Sequence, residues 1–461
     1  MGGRGVICEK FTEKMKRLLG KEYEKFIAAL EEDAVRGLRI NTLKCDRDEF
    51  IDKNTLPISS IPYTDTGFIL NSDESVGTHP EHHSGRIYMQ DPGAMMPLSS
   101  INIKRGARVV DLCAAPGGKS GQAAAMIGED GFLLSNEFVP KRAKILVSNL
   151  ERLGVKNAIV TSMDTEKLSE LYTEYFDYAI TDAPCSGEGM FRKNEAAIEE
   201  WSEENVTVCA KRQREILENA ARLIRAGGYI IYSTCTYSPE ENEDTVDAFL
   251  KAHENFSAVE VNDAVMRCTA PAVTNGENCE RVKYGRRFYP HLSHGEGQFV
   301  AILKKNYSDM STKVCKCSTL PLQKSDMATV KEFFKKELLK EPMARVSRLG
   351  DKVVLLPNSI EQVPLHSVFM AGVLLGEIQK GRVEPSHQFF SAYGECFKRK
   401  IELSHTPDLL SRYLYGEEIE APEGVENGYC VITYKDTSLG GGKISGGRIK
   451  NHYPKGLRNK K

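Results

Sequence analysis

Long hydrophobic runs are missing from this chain of 461 residues. No apolar segment approaches the ~20 residues that a membrane-spanning helix requires. The amino-terminal segment, Met1-Gly2-Gly3-Arg4-Gly5, also lacks the apolar core of a secretory signal. These absences predict a protein without a membrane partner.

A disulfide framework is also missing, although the sequence contains 12 cysteines. They are spread over the chain without the spacing of a secreted scaffold, which predicts reduced thiols in the cytoplasm. The only close pair is Cys315-Lys316-Cys317, and neither a second such pair nor a histidine pair lies nearby. We therefore expect no zinc site and no other metal cofactor.

A large excess of one charge is absent overall, since the formal net charge is −2. This value does not exclude a nucleic-acid partner, because the distribution of charge matters more than its sum. No acidic residue follows Asp436. The same tail carries Lys443, Arg448, Lys450, Lys455, Arg458, Lys460 and Lys461. It would favour phosphates in a salt-sensitive manner, and a disordered basic tail is the alternative.

Hydrophobic periodicity predicts how the chain is organised. Residues 11–30 have helical spacing, and the short alternating segments that follow predict a small α+β module, whose surface arginines would meet either phosphates or solvent. From about Tyr88, strands alternate with helices, which predicts a parallel sheet covered on both faces. The predicted strands are 107–113, 131–137, 158–161, 175–182 and 229–233, with a later strand, 298–303, at the end of the sheet. The main predicted helices are 141–153 and 204–225, the second ending at Ala226-Gly227-Gly228.

The turn after the first predicted strand, Ala114-Ala115-Pro116-Gly117-Gly118-Lys119-Ser120, is not a G-x-G-x-x-G fingerprint. It therefore disfavours a dinucleotide, although its glycines still permit close backbone approach. Asp111, Glu137 and Asp164 lie at or just after three strand ends, where such sheets bind ligands. Carboxylates there suit the ammonium, ribose and adenine of S-adenosylmethionine, with Glu137 at the ribose and Asp164 at the adenine amino group. Taken singly, each acid could instead cap a helix.

Two cysteines follow the fourth and fifth predicted strands, in Asp182-Ala183-Pro184-Cys185 and in Ser233-Thr234-Cys235-Thr236. A cysteine there suits methylation of a pyrimidine carbon. A thiolate that adds to carbon 6 of cytosine makes carbon 5 nucleophilic toward a sulfonium methyl group. The segment Ser238-Pro239-Glu240-Glu241 predicts a helix N-terminus that would stabilise a Cys235 thiolate. The residues alone leave either cysteine as the nucleophile.

Three long motifs resemble the Sun (NSUN-type) family of RNA 5-methylcytosine methyltransferases. They are the runs 111–119, 182–191 and 233–236. The resemblance extends to Arg39-Ile40-Asn41-Thr42 and to Gly295-Glu296-Gly297-Gln298-Phe299, where the family more often has Phe at the position of Gln298. We interpret that departure as a strand substitution without consequence for the chemistry.

The resemblance implies a role for each candidate residue. Cys235 would be the nucleophile, and Cys185 would assist breakdown of the adduct. Asp182 would contact the cytosine edge near the methyl donor, and Lys119 would help to position the reacting groups. The residues implied in cofactor binding are Cys113, Ala114, Ala115, Pro116, Gly117, Gly118, Lys119, Glu137, Asp164 and Asp182.

The resemblance also implies a fold and its division into domains. We expect an α/β protein with a Rossmann-like class I S-adenosylmethionine-dependent methyltransferase sheet. The tail, 439–458, resembles bacterial members that methylate small-subunit ribosomal RNA, which implies a PUA-like RNA-binding fold. The expected parts are an RNA-binding α+β module (1–87), the methyltransferase domain (88–305), a linker (306–325), a small domain (326–388) and the PUA-like domain (389–461).

We therefore expect transfer of a methyl group to carbon 5 of a cytosine in 16S ribosomal RNA. The partner would be that RNA or the small ribosomal subunit, and the protein would be a monomer. A transfer RNA substrate and a ribosome-assembly factor without catalysis are the alternatives. DNA is disfavoured, because DNA cytosine enzymes usually place the nucleophile in the Pro-Cys motif alone.

Overall fold

The computed structural model describes residues 7–73, 75–274, 276–306, 320–361, 363–364 and 366–460. Most of the predicted linker and the Cys315–Cys317 pair lie outside these residues. The strands of the described residues form four sheets. Among the described helices, none combines the length and the apolar character that crossing a bilayer requires.

The first sheet belongs to the amino-terminal module and is antiparallel, in the order β2-β3-β1-β4. Its strands are β1 (Gly37–Ile40), β2 (Ile58–Ser60), β3 (Gly67–Leu70) and β4 (Ile87–Met89), and its helices are α1 (Glu9–Leu19), α2 (Tyr23–Glu31), α3 (Arg47–Lys53) and α4 (Pro80–His83). The prediction of one helix over 11–30 is wrong. Gly20 adopts a φ of +53°, which ends α1, and a 3-10 turn over Gly20–Glu22 leads into α2.

The second sheet contains the predicted parallel strands. Its strands are β5 (Arg108–Asp111), β6 (Phe132–Asn136), β7 (Ala158–Thr161), β8 (Phe176–Asp182), β9 (Ile224–Thr234), β10 (Phe256–Val259), β11 (Ala270–Pro271), β12 (Arg286–Phe288) and β13 (Gln298–Lys305). Strands β9, β8, β5, β6 and β7 are parallel and adjacent in that order. β13 pairs with β9 antiparallel, and both β12 and β10 pair with β13. The predicted end strand therefore lies inside a mixed sheet.

Helices cover both faces of this sheet. They are α5 (Pro92–Ser99), α6 (Gly118–Ile127), α7 (Pro140–Arg152), α8 (Thr165–Leu171), α9 (Glu195–Glu199), α10 (Glu203–Leu223), α11 (Glu243–Ala252), α12 (Asp263–Arg267) and α13 (Cys279–Val282). Consecutive strand residues alternate between two apolar clusters: Val110 and Ile230 belong to one, Val109 and Ile231 to the other. Because both faces are buried, the strands read as continuous apolar runs. The long helix α10 ends at Leu223, before the predicted glycine stop.

Two further sheets form the carboxy-terminal third. The third has the order β14-β15-β16-β18-β19 and the fourth β20-β22-β23-β24-β21. Their elements are β14 (Leu320–Pro321), α14 (Lys324–Glu337), β15 (Arg345–Leu349), β16 (Lys352–Leu356), β18 (Val373–Gln379), β19 (Arg382–Pro385), α15 (His387–Tyr393), β20 (Lys400–Glu402), α16 (Pro407–Tyr415), β21 (Ile419–Glu420), β22 (Gly428–Tyr434), β23 (Thr437–Ser445) and β24 (Arg448–Asn451). Strand β17 (Val368–Ala371) instead pairs antiparallel with β7.

The glycine-rich tail is an ordered part of the fourth sheet. A Cβ on Gly441, in β23, would lie 2.4 Å from the ring of Phe390, and one on Gly442 would lie 2.5 Å from Ile449. These glycines let β23 approach its neighbours closely. The alternative of a disordered basic tail is therefore wrong for residues 437–460.

Gly441→Ala should destabilise the protein, because the new methyl group has no space against Phe390. We expect a loss of about 1–3 kcal/mol in the free energy of unfolding, the usual cost of overpacking. Gly456→Ala is the matched control, because a Cβ there meets no atom within 4 Å. It should stay within about 0.5 kcal/mol of the parent. Equal urea midpoints for the two variants would contradict this account.

Candidate active site

The carboxyl ends of β8 and β9 place Asp182 at the centre of the site. The two strands are parallel neighbours, and Asp182 is level with Ser233. Lys119, from the first turn of α6, donates to Asp182 Oδ2 at 2.8 Å. Ser233 Oγ donates to Oδ1 at 2.7 Å, and Gln298 Nε2 donates to the same oxygen at 3.4 Å. Four donor and acceptor groups thus converge from three neighbouring strands and one helix.

The two cysteines meet beside this cluster. Cys185 Sγ and Cys235 Sγ are 3.2 Å apart, and both residues are half-buried. The contact exists because each cysteine follows one of two adjacent parallel strands, whose ends share an edge of the sheet. Backbone bonds fix the loops, since Gly189 N donates to Cys235 O at 2.9 Å and Gly297 N donates to Gly189 O at 3.3 Å.

The two sulfurs are not equivalent. The hydrogen bond to Cys235, followed by burial, raises the pKa of the Cys185 thiol well above its ordinary value. Cys185 therefore keeps its proton and can donate it toward Cys235 Sγ. Burial lowers the pKa of Lys119, but the charge and hydrogen bond of Asp182 outweigh that effect and raise it overall, so Lys119 stays cationic.

A buried carboxylate, Glu188, holds the loop after Cys185 against the loop after Cys235. Glu188 Oε1 accepts from Trp201 Nε1 at 2.9 Å and from Ser238 Oγ at 2.8 Å, while Oε2 accepts from Tyr237 N at 3.0 Å. Its cation is Lys14 of α1, at 3.2 Å. The amino-terminal helix is thereby part of the active-site scaffold.

A second carboxylate, Glu241, explains why the predicted helix N-terminus after Cys235 is wrong. Glu241 accepts from Ser186 N at 2.9 Å and from Gln213 Nε2 at 2.9 Å, so its carboxylate is not available to cap a helix. Ser238 donates its hydroxyl to Glu188 instead of accepting from a backbone amide. Helix α11 begins only at Glu243. The prediction that this helix N-terminus stabilises a Cys235 thiolate is therefore wrong.

A cleft with a volume of about 690 Å³ opens at the ends of β5, β6 and β7. Cys113, Glu137, Asp164 and Pro184 line it, together with Phe138, whose side chain is 67% exposed. Three of the sequence-predicted cofactor residues therefore share one cleft. The pocket also contains the proline that precedes Cys185, which joins it to the thiol pair.

The acids around this cleft keep acceptor capacity for a ligand. Glu137 Oε1 accepts from Val139 N at 3.0 Å, and Oε2 lies 3.4 Å from Arg142 Nη1. Asp164 Oδ1 accepts from Glu166 N at 2.8 Å, so the helix-capping alternative is correct for Asp164 in α8, although the residue also lines the cleft. Each carboxylate has about four acceptor sites, and most of them remain free for hydroxyl or amino groups.

Asp111 is wholly buried below the turn. Its Oδ2 accepts from Ser120 Oγ at 2.7 Å, whereas Oδ1 has no hydrogen-bond partner in the described part of the chain. Burial raises the pKa of Asp111 to about 7. A buried negative charge with an unpartnered oxygen fits a cationic ligand nearby, and the acid-lined cleft fits an adenosine. The residues present therefore fit S-adenosylmethionine.

The turn from Ala114 to Gly118 enters the site through its backbone. Gly117 adopts a φ of +116°, a conformation that favours glycine, and a Cβ there would lie 3.1 Å from Leu146. Two carbonyls of the turn are committed to α7: Arg142 donates to Ala115 O at 2.9 Å, and Asn149 donates to Pro116 O at 2.8 Å. Cys113, which precedes the turn, lines the cleft, and residues 114–119 do not.

Comparison with known proteins assigns the chain to a family. The family described as 16S rRNA methyltransferase RsmB/F matches residues 98–304, and the RsmF N-terminal domain matches 7–92. The RsmF first C-terminal domain matches 332–392, and the methyltransferase RsmF PUA domain matches 398–459. Ribosomal RNA small subunit methyltransferase F of Aeromonas hydrophila is 31% identical over 94% of this chain and 93% of its own length. The protein of the same name from Vibrio parahaemolyticus is 32% identical over 98% and 97%.

The chain belongs to the RsmF family of ribosomal RNA methyltransferases. A methyltransferase homologue from Pyrococcus horikoshii shares 29% identity and a TM-score of 0.58 over 65% of this chain and 95% of its own. NSun6 of the same organism, solved with SFG, has a TM-score of 0.54 at 22% identity over 65% and 99%, which supports the fold. These matches confirm the predicted fold class, the PUA domain and S-adenosylmethionine as the methyl donor.

Sequence reasoning missed several residues of the site. Ser233 lies in the Ser-Thr-Cys motif, but its bond to Asp182 was not predicted. Glu188 lies in the run after Cys185, but its bonds to the Cys235 loop were not predicted. Gln298 lies in a strand, β13, as expected, and nothing in the sequence indicated that its amide contacts Asp182. Lys14 gave no signal, since nothing in a helical pattern reveals a carboxylate 174 residues away.

Lys14→Met should loosen the two cysteine loops, because it leaves the buried carboxylate of Glu188 without its cation. Loss of one partner of a buried pair is costly, and we expect unfolding to become about 2–4 kcal/mol easier. Iodoacetamide should then alkylate Cys185 and Cys235 faster, as measured by mass spectrometry. Lys10→Met is the matched control on the same helix, because Lys10 and Glu203 form a solvent-exposed ion pair whose loss should change stability little. Equal alkylation in the two variants would contradict a role for Lys14 in the scaffold.

Proposed function

We propose that this protein methylates carbon 5 of a cytosine in 16S ribosomal RNA through a covalent adduct with Cys235. The supporting observation is the thiol pair, 3.2 Å apart, beside the Asp182–Lys119 pair and next to the acid-lined cleft. A single thiol would not distinguish this chemistry from a structural cysteine. Methylation of a ring carbon would use both adjacent thiols, one to attack carbon 6 and the other to assist breakdown of the adduct.

Glu137, Asp164, Cys113 and the backbone of the glycine turn would hold the cofactor. S-adenosylmethionine supplies an electrophilic methyl group on a sulfonium. Glu137 has free acceptor sites for ribose hydroxyls, and Asp164 has them for the adenine amino group. The charge of Asp111 would act on the cationic part of the ligand through the turn.

Cys235 would begin the reaction as a thiolate that accepts the Cys185 S–H. Cys235 Sγ forms a bond to carbon 6 of cytosine, and the C5=C6 electron pair becomes available at carbon 5. Asp182, held by Lys119 and Ser233, receives the polar edge of the base. Bound S-adenosylmethionine would supply the methyl group that carbon 5 takes, and it would leave as a neutral thioether.

Product release requires the bond between Cys235 Sγ and carbon 6 to break. The carbon 5 proton passes to a solvent base, its electron pair restores the C5=C6 double bond, and the C6–S pair returns to Cys235 as a thiolate. The Cys185 thiol, 3.2 Å away, hydrogen-bonds the departing sulfur and lowers the cost of its charge. The target base must leave its stack to reach these half-buried thiols, so an accessible RNA segment is favoured over a continuous duplex.

Substitution of each thiol should have a different result. Cys235→Ala should abolish both turnover and the RNA adduct, whereas Cys185→Ala should accumulate a protein–RNA adduct that resists denaturing electrophoresis. Cys279→Ala is the control, because Cys279 is an exposed free thiol on α13. An adduct formed by the Cys235 variant but not by the Cys185 variant would reverse the assignment.

Cofactor affinity should depend on pH through Asp111. Its pKa of about 7 means that the carboxyl is charged at pH 8 and neutral at pH 6. A cationic ligand favours the charged form, so calorimetry should show affinity for S-adenosylmethionine falling about tenfold from pH 8 to pH 6. Asp111→Asn should bind weakly at both values. A tenfold change that persists in this variant would contradict the role of Asp111.

Bisulfite sequencing tests the substrate. Methylation of one or more 16S cytosines should disappear in a deletion strain and return with the wild-type gene but not with Cys235→Ala. The full-length similarity to enzymes named for small-subunit ribosomal RNA supports this target. Loss confined to transfer RNA would replace it, and no loss would favour an assembly factor. We propose that the protein acts on ribosomal RNA in the cytoplasm and that it acts as a monomer.

A further inference from the structure

Gln298 is a polar side chain at the start of β13, ahead of a buried apolar run and near the level of the proposed nucleophile. Phe299 pairs with Thr234 across β13 and β9, so Gln298 and Cys235 each stand one residue beyond this pair. Its side chain shares a sheet face with Asp182 and is 4% exposed. The four residues that follow it, Phe299 to Ile302, are buried and apolar. A strand position that only needed packing would suit an apolar residue as well.

The orientation of the Gln298 amide follows from its partner. A carboxylate only accepts when it is ionised, so the amide must turn its NH₂ group toward Asp182 Oδ1. Within the described residues, no donor contacts Gln298 Oε1. Oε1 is also not among the wholly buried polar atoms without a partner in that part of the chain, so it remains accessible to solvent.

The hydrogen bonds of Asp182 determine where a base can approach. Oδ1 already accepts from Ser233 and Gln298, whereas Lys119 is the one donor to Oδ2 among the described residues. Since each carboxylate oxygen has about two acceptor sites, Oδ2 retains the open one. That free site and Gln298 Oε1 are both acceptors at the strand ends that hold Asp182 and the Cys235 loop.

We propose that Gln298 is a specificity-determining residue, whose Oε1 accepts a hydrogen bond from the 4-amino group of the target cytosine. This inference rests on the proposed cytosine chemistry. Cytosine carries an amino donor at carbon 4, where uracil carries an acceptor oxygen. The two acceptors, Asp182 Oδ2 and Gln298 Oε1, match the amine of cytosine and repel the oxygen of uracil. The phenylalanine that the family more often has at this position could form neither bond.

Loss of the Gln298 amide should slow adduct formation chiefly on a base that carries a 4-amino group. Short RNAs spanning the cytosine mapped by bisulfite sequencing would carry either cytosine or pyrimidin-2-one, which lacks the 4-amino group. The wild-type rate of single-turnover adduct formation on each RNA, with S-adenosylmethionine present, is the reference. Gln298→Phe and Gln298→Met should slow the cytosine reaction about three- to tenfold more than the pyrimidin-2-one reaction, the value of one hydrogen bond.

The two variants separate recognition from folding. Methionine keeps the length of the side chain and phenylalanine is the residue of relatives, so melting temperature and cofactor affinity should match the wild type. Equal slowing on both RNAs, or no slowing on either, would overturn the role of Gln298 while the wild-type adduct still supported cytosine chemistry. Absence of a wild-type adduct on cytosine RNA would overturn the proposed function, and this inference with it.

Discussion

The parallel pairing of β8 with β9 is the constraint on which the site depends. The register that sets Asp182 beside Ser233 makes both cysteine loops leave the same edge of the sheet. A shift of one residue would turn the side chains of one strand to the opposite face. The pairing is strongly specified, because both faces of each strand are buried between apolar clusters. Core packing therefore brings the loops that carry the Cys185 and Cys235 sulfurs to the same edge of the sheet.

The loops need more than the register, because each contains several residues without regular structure. Buried carboxylates supply that order. Glu188 and Glu241 each bond to both loops or to their immediate supports, and each accepts from backbone amides as well as side chains. Buried charges are tolerated when every lone pair has a donor. The amino-terminal module joins this network through Lys14, so a helix of that module helps to hold the loops that carry the thiol pair.

The sequence predicted the five parallel strands, the meeting of two thiols and the acids at three strand ends. Continuous apolar runs and strand-end motifs carry that information locally. Prediction from the sequence failed where a side chain had two possible hydrogen-bond partners. Ser238 and Glu241 have the spacing of a helix cap, but their side chains bond to Glu188 and Ser186, and α11 starts later. Gln298 is a strand residue as expected, but its contact with Asp182 could not be predicted because it spans 116 positions.

The difference between the two sulfurs follows from their mutual contact. Cys185 holds its proton chiefly because Cys235 accepts from it. In the proposed mechanism, Cys235 is a weaker acceptor while its sulfur is bonded to carbon, and burial is then the main cause that keeps the pKa of the Cys185 thiol raised. The thiol therefore still holds its proton, and it can hydrogen-bond Cys235 strongly again only as the C6–S bond breaks. That confines its proposed participation to the step in which the adduct breaks down.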